Sequence, residues 1–112
     1  MTVNASLRRL GAACLLAVLA GWTTRPAEGA RTHIVSIKGF AFAPSKVVAA
    51  VGDTIAWANE DIVVHTVTAD TARWDSGDLA NGRRYRLVAS RKGTFDYHCE
   101  LHPNMKGTLV VQ

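Results

Sequence analysis

Past Trp22 the chain has no long apolar run, no low-complexity stretch and no cluster of Lys or Arg with interleaved aromatics. A membrane is therefore expected to matter only through the first segment. Nucleic acid is not an expected partner. No stretch carries a convincing 3.6-residue apolar period, so helices are not expected either. Cysteine is scarce. There are two, Cys14 and Cys99, and only Cys99 lies beyond the first segment. Histidine is limited to four residues and methionine to two. An enzyme with a second metal centre would need more ligands than this.

The first segment reads as a targeting signal. Arg8 and Arg9 precede an apolar run from Leu10 to Trp22, which is too short to span a bilayer comfortably. Ala27-Glu28-Gly29 has the small-x-small form of a cleavage site, which places the start of a mature domain near Ala30. Residues 1–29 are thus expected to be a cleavable signal peptide that directs residues 30–112 to the periplasm. Arg8-Arg9 resembles part of a twin-arginine signal, but the surrounding residues do not complete that motif, so the export route stays open. Losing this segment removes three arginines and one glutamate, and the formal charge falls from +4 to +2.

Cys99 then stands alone in an oxidising compartment, where it can form no internal disulfide. It can be a buried inert thiol, half of an intermolecular disulfide, or a metal ligand.

Beyond Arg31 the pattern is β. His33 to Ile37 is a β-branched run ending at Gly39, and Val47 to Val51 is another, closed by Gly52-Asp53. Thr54 to Ala58 alternates, with Ile55 and Trp57 on one face. Val63 to Ala69 is read as a strand following the Asn59-Glu60-Asp61 loop. Tyr85 to Val88 follows the Asn81-Gly82 turn, and Lys92-Gly93 turns the chain again. Phe95, Tyr97 and Cys99 alternate with polar neighbours, and Thr108 to Val111 closes the domain. Short strands at this spacing predict an antiparallel β-sandwich with Ile55, Trp57, Phe95, Tyr97, Leu109 and Val111 in its core. A domain of about 80 residues is small for such a core, so a bound metal would add useful stability.

The chemistry concentrates in Tyr97-His98-Cys99-Glu100-Leu101-His102-Pro103-Asn104-Met105, which contains a C-x2-H-x2-M pattern. A thiolate binds copper strongly in both oxidation states, imidazole suits both, and a thioether is a weak donor that favours the reduced ion. His65, at the start of an apolar run, is the candidate fourth donor. Taken singly, each of these residues has an ordinary role: a strand-end His, a core Met, an inert thiol. Taken together, His65, Cys99, His102 and Met105 make the donor set of a blue-copper site. Zinc is a poorer match, because Met is not among its usual ligands. His98 is expected to point away from Cys99 by strand alternation, and His33 to take no part.

These residues resemble the cupredoxin family, and the short ligand loop looks most like its amicyanin branch. The resemblance runs through Phe40-Ala41-Phe42, Gly52-Asp53, Trp57-Ala58-Asn59, His65-Thr66-Val67 and Tyr97 to Val111. It implies a cupredoxin-like antiparallel Greek-key β-sandwich with one type 1 copper ion. His65, Cys99 and His102 would be equatorial ligands and Met105 the axial one. It implies a monomeric carrier of single electrons rather than an enzyme. Its partners would be redox proteins, an amine dehydrogenase and a c-type cytochrome by analogy with amicyanins, with the His102 ring edge as the electron exit. Copper storage, delivery or resistance is the alternative that the same ligands would serve. Two departures concern tuning. Thr66 stands where many members have Asn, and Glu100-Leu101 where many have Ser or Thr followed by Pro. Leu101 has an N–H that Pro lacks, so both Thr66 and Leu101 are expected to donate to the Cys99 sulfur.

Overall fold

The computed structural model describes Gly11, Ala13, Gly21 and residues 29–112. The signal peptide expected over residues 1–29, Cys14 included, lies almost wholly outside the described residues. From there on, eight strands run in chain order: β1 (Thr32–Lys38), β2 (Ala41–Ala43), β3 (Lys46–Ala49), β4 (Thr54–Asn59), β5 (Thr68–Ala69), β6 (Arg84–Val88), β7 (Gly93–His98) and β8 (Lys106–Val111). They form two four-stranded sheets, ordered β2-β1-β4-β6 and β3-β8-β7-β5.

Alternation decides which side chains the sheets share. In β1, Val35 and Ile37 are buried while Ile34 faces out; in β8, Gly107, Leu109 and Val111 are buried. These residues meet Ile55, Trp57 and Tyr97 in a single core, with Phe95, Tyr85 and Trp74 packed against its margin. The expected core is therefore present, Phe95 being only partly buried. Trp57 is its centre. Its ring stacks on Tyr85 at 5.7 Å and meets Tyr97 edge-on at 5.4 Å.

The two-sheet sandwich agrees with the sequence reading, but the pairing is mixed. β1 lies parallel to β4, and β3 parallel to β8. A parallel pair needs a crossover connection. The chain supplies it by leaving the first sheet after β2, adding β3 to the second, and returning as β4. Strand β2 was not anticipated. It follows a two-residue turn at Gly39-Phe40, both with positive φ, the type I′ geometry that suits the twist of a hairpin. The strand expected over Val63 to Ala69 is reduced to Thr68–Ala69. The preceding backbone bonds elsewhere: His65 exchanges both of its hydrogen bonds with Leu79, and Val67 N–H donates to Ser76 Oγ. A loop, rather than a strand, fills the place beside it.

At the end of the sandwich where β4 begins, Asp53 ties three segments. One oxygen accepts from the Arg31 N–H; the other is 2.9 Å from both His33 Nε2 and the Ala50 N–H. The Arg31 amide, with His33 and the Ala50 amide, lowers the Asp53 carboxyl from 3.8 to about 2. A depressed carboxyl stabilises the fold above its unfolded pKa, and that contribution is lost as the pH falls through the folded value. Asp53→Asn should therefore lower the melting temperature at neutral pH, and the gap from wild type should narrow as the pH drops from about 4 towards 2. Thermal unfolding followed by circular dichroism measures it; a gap that stays constant with pH would refute the assignment.

Gly107 gives a second test. It pairs with Tyr97 across β7 and β8, and a Cβ there would stand 2.2 Å from the Tyr97 ring. Gly107→Ala should cost about 1–3 kcal/mol through overpacking, read from the urea midpoint.

Candidate metal centre

At the opposite end, β4 finishes on Asn59, whose side chain is buried and fully used. Its Nδ2 donates to Val63 O and Leu79 O at 2.9 and 2.8 Å, and its Oδ1 accepts from the Asp61 N–H at 2.9 Å. Those bonds curl residues 59–65 into a compact loop and deliver His65 to the interior, where it is wholly buried.

The second segment starts where β7 ends. The Cys99 N–H donates to Met105 O at 3.1 Å, and the Met105 N–H donates to His102 O at 2.9 Å. Two backbone bonds thus close the Cys99–Met105 connection and tie all three candidate donors of that loop together. Cys99 and Met105 are buried and His102 is partly exposed. Phe40, Leu101, His102, Pro103, Asn104 and Met105 line a surface depression of about 430 Å³.

The donor atoms of the two segments converge. Cys99 Sγ lies 3.8 Å from His65 Nδ1 and 3.7 Å from His102 Nδ1, and the donor atoms of the three residues lie within 4.8 Å of one another. A thiolate sulfur about 2.3 Å and an imidazole nitrogen about 2.0 Å from one metal ion stand about 3.7 Å apart at a trigonal angle. The observed spacings match that figure, so the residues present fit a single first-row ion. Met105, the expected fourth donor, is a thioether buried on the same loop as Cys99 and His102. His33 and His98 lie outside this converging group. His33 is bound to Asp53, and His98 lies between Asp70 and Glu100. Asp70, with Glu100, raises the His98 pKa above its ordinary value.

The two segments are also stitched directly. The Thr66 N–H donates to Cys99 Sγ at 3.3 Å, and Thr66 Oγ1 accepts the Glu100 N–H at 2.9 Å. The expected Thr66 donor is present. The expected second donor, Leu101, is not: among the described residues no hydrogen bond joins its N–H to the sulfur. With Glu100 turned towards Thr66 and the loop closing from His102 to Met105, Leu101 is left half-exposed at the rim.

Two residues near the site escaped the sequence reading. Asp61 Oδ2 sits 2.8 Å from His65 Nε2. The Phe40 N–H, followed by the Gly39 N–H and the His65 ring, holds the Asp61 carboxyl below the usual carboxylate range. Phe40 itself packs edge-on to both His65 and His102. The acid four residues before the histidine was the only available signal, and a loop acid at that spacing is unremarkable.

Comparison with known proteins agrees with this geometry. The sequence model of the cupredoxin-like domain matches residues 11–111. An amicyanin from Paracoccus denitrificans is 34% identical over 55% of this chain, which spans about half (51%) of that protein's length. A plastocyanin from Nostoc punctiforme is 33% identical, covering 98% of this chain and 97% of its own. Among solved structures, an amicyanin mutant in its Cu(I) form is 28% identical, with a TM-score of 0.68 over 72% of this chain and 82% of that one. A copper-containing nitrite reductase from Thermus scotoductus reaches the same TM-score at 26% identity, but only 22% of that enzyme is covered.

The stitch through Thr66 can be tested without metal. Thr66→Val keeps the backbone donor to sulfur but strips the Glu100 N–H of its partner. The metal-free protein should lose about 1–3 kcal/mol in denaturant unfolding; unchanged stability would show that the bond carries no weight.

Proposed function

The chain belongs to the cupredoxin-like domain family, and on that footing we propose that it carries single electrons between redox proteins through one type 1 copper ion held by His65, Cys99, His102 and Met105. The observation that carries this reading is the convergence of two imidazole Nδ1 atoms on one buried thiol at 3.7 and 3.8 Å. Copper, when bound, supplies a one-electron couple between Cu(II) and Cu(I).

The residues do the rest. His65 is held by its backbone bonds to Leu79 and by Asp61 at its far nitrogen, so the ring has little freedom to turn. Cys99 accepts one N–H from Thr66, which draws charge from sulfur and favours the reduced state. With both loops pinned by the protein's own hydrogen bonds, little of the protein has to move when the charge of the site changes. His102 is the partly exposed donor, flanked by exposed Phe40 and Leu101 and by Pro103. Its ring edge is the proposed exit for the electron, and the apolar rim suits a brief encounter over a small interface.

Export to the periplasm, with residues 1–29 removed and residues 30–112 as the working domain, is part of the same reading. The Arg8-Arg9 and Leu10–Trp22 pattern supports it, as does a lone thiol in the remaining chain. The likeness to amicyanins favours an amine dehydrogenase as donor and a c-type cytochrome as acceptor. No enzymatic step is assigned. The nitrite reductase likeness leaves most of that enzyme without a counterpart here.

The copper-loaded protein should be intensely blue, from charge transfer between the Cys99 thiolate and Cu(II), and Cys99→Ser should abolish the colour. Visible absorption and electron spin resonance decide it. A colourless wild type with an ordinary tetragonal Cu(II) spectrum would overturn the reading.

A further inference from the structure

Phe40 has a φ of 58°, in the left-handed region. For a side chain other than glycine this costs about 1–2 kcal/mol. The turn needs the positive φ but not the side chain, since a second glycine beside Gly39 would meet it without strain. A strained residue that persists must be held by its surroundings, and here the holding groups belong to the metal centre. The Phe40 N–H donates to Asp61 Oδ2 at 3.0 Å, and the Gly39 N–H to Asp61 Oδ1 at 2.7 Å. The Phe40 ring stands edge-on to His65 at 5.3 Å and to His102 at 4.9 Å.

The same Oδ2 meets His65 Nε2 at 2.8 Å. An ionised carboxylate only accepts, so the hydrogen in that contact belongs to the ring. A neutral imidazole has one N–H, which leaves Nδ1 as the bare nitrogen, and Nδ1 is the atom that faces Cys99 Sγ. The Asp61 side chain is mostly buried and is itself anchored: its N–H goes to Asn59 Oδ1 and its carbonyl accepts from Asn81 Nδ2. One carboxylate therefore joins a ligand ring to the hairpin turn of the other strand pair.

The geometry points to Asp61 as a positioning residue that sets the His65 tautomer and, through the same carboxylate, seats Phe40 as an apolar cover against both imidazoles. Outer partners of this kind orient a ligand histidine and raise its basicity. A negative charge behind the ring also favours the more highly charged Cu(II). Asp61 thus opposes the Thr66 hydrogen bond, which favours Cu(I). The effect on potential rests on the copper reading above; the tautomer does not.

The test has a metal-free arm and a copper arm. Ring nitrogen-15 shifts of His65 in the metal-free wild type at pH 8 should show Nε2 protonated and Nδ1 bare. A protonated Nδ1 overturns the inference whatever the metal does. With copper, Asp61→Asn and Asp61→Ala should stay blue, lose about 10- to 100-fold in copper affinity, and shift the reduction potential upward. Phe40→Gly removes the cover and the strained φ; it should leave the His65 tautomer as in wild type but speed copper loss to a chelator several-fold. Wild-type potential and affinity in both Asp61 variants would overturn the inference. A wild type that never turns blue would count against the copper reading alone, and the nitrogen-15 result would still decide the role of Asp61.

Discussion

The hydrogen bonds at Thr66 carry the short β5–β7 pairing, in which Thr68 lies opposite His98, onward to the donor residues themselves. The Thr66 N–H reaches the Cys99 sulfur and its hydroxyl receives the Glu100 N–H, so the loop after β4 and the loop after β7 are fixed to one another. Everything at that end follows. His65 and Cys99 are 34 residues apart in sequence, and no local preference could hold their donor atoms at 3.8 Å. The sandwich supplies the approach and Thr66 the final register. The bond to sulfur also bears on the chemistry, because the group that positions the loop is the group that draws charge from the thiolate.

The opposite end is organised in a similar way, by a side chain rather than by sheet hydrogen bonds. Asp53 gathers the start of β1, the turn after β3 and the His33 ring. Between the two ends lies a core with little polar content. Among the described residues the buried side-chain atoms without a hydrogen-bond partner are Trp57 Nε1 and Tyr97 Oη, and both belong to the central aromatic group. Desolvation there raises the Tyr97 pKa, which keeps the phenol neutral in the interior.

Much of this was legible in the sequence, unevenly and for physical reasons. Strands β1, β4, β6, β7 and β8 announce themselves through β-branched runs and period-two alternation. Cys99, His102 and Met105 are readable because they fall within one short loop, where spacing is geometry. His65 was placed among them by donor chemistry and resemblance, since nothing local marks it. The parallel pairings escaped notice because alternation fixes which face a residue takes and says nothing of which strand lies beside it. Val63 to Ala69 has the composition of a strand, yet Leu79 and Ser76 claim its backbone. Leu101 was expected to donate to sulfur on the strength of having an N–H, but possession of a donor does not aim it. Asp61 and Phe40, 21 residues apart, were beyond reach, because their contact exists only once the hairpin has folded over the loop.

The parallel pairs β1–β4 and β3–β8 carry a consequence for assembly. Among the described strands β3 pairs only with β8, about 60 residues on, so the second sheet has no complete form until that strand is in place. Long-range pairings of this kind are slow to close, because loop entropy is spent before any contact is gained. Cys99, the one thiol among the described residues, lies just before β8, and its burial depends on the same closure. In the folded protein the sulfur is buried, with the Thr66 N–H against it and the Cys99 N–H bonded to the Met105 carbonyl. The topology thus couples burial of the reactive group to the pairing that completes the second sheet, and a chain in which β8 is undocked would leave an oxidisable sulfur open to solvent.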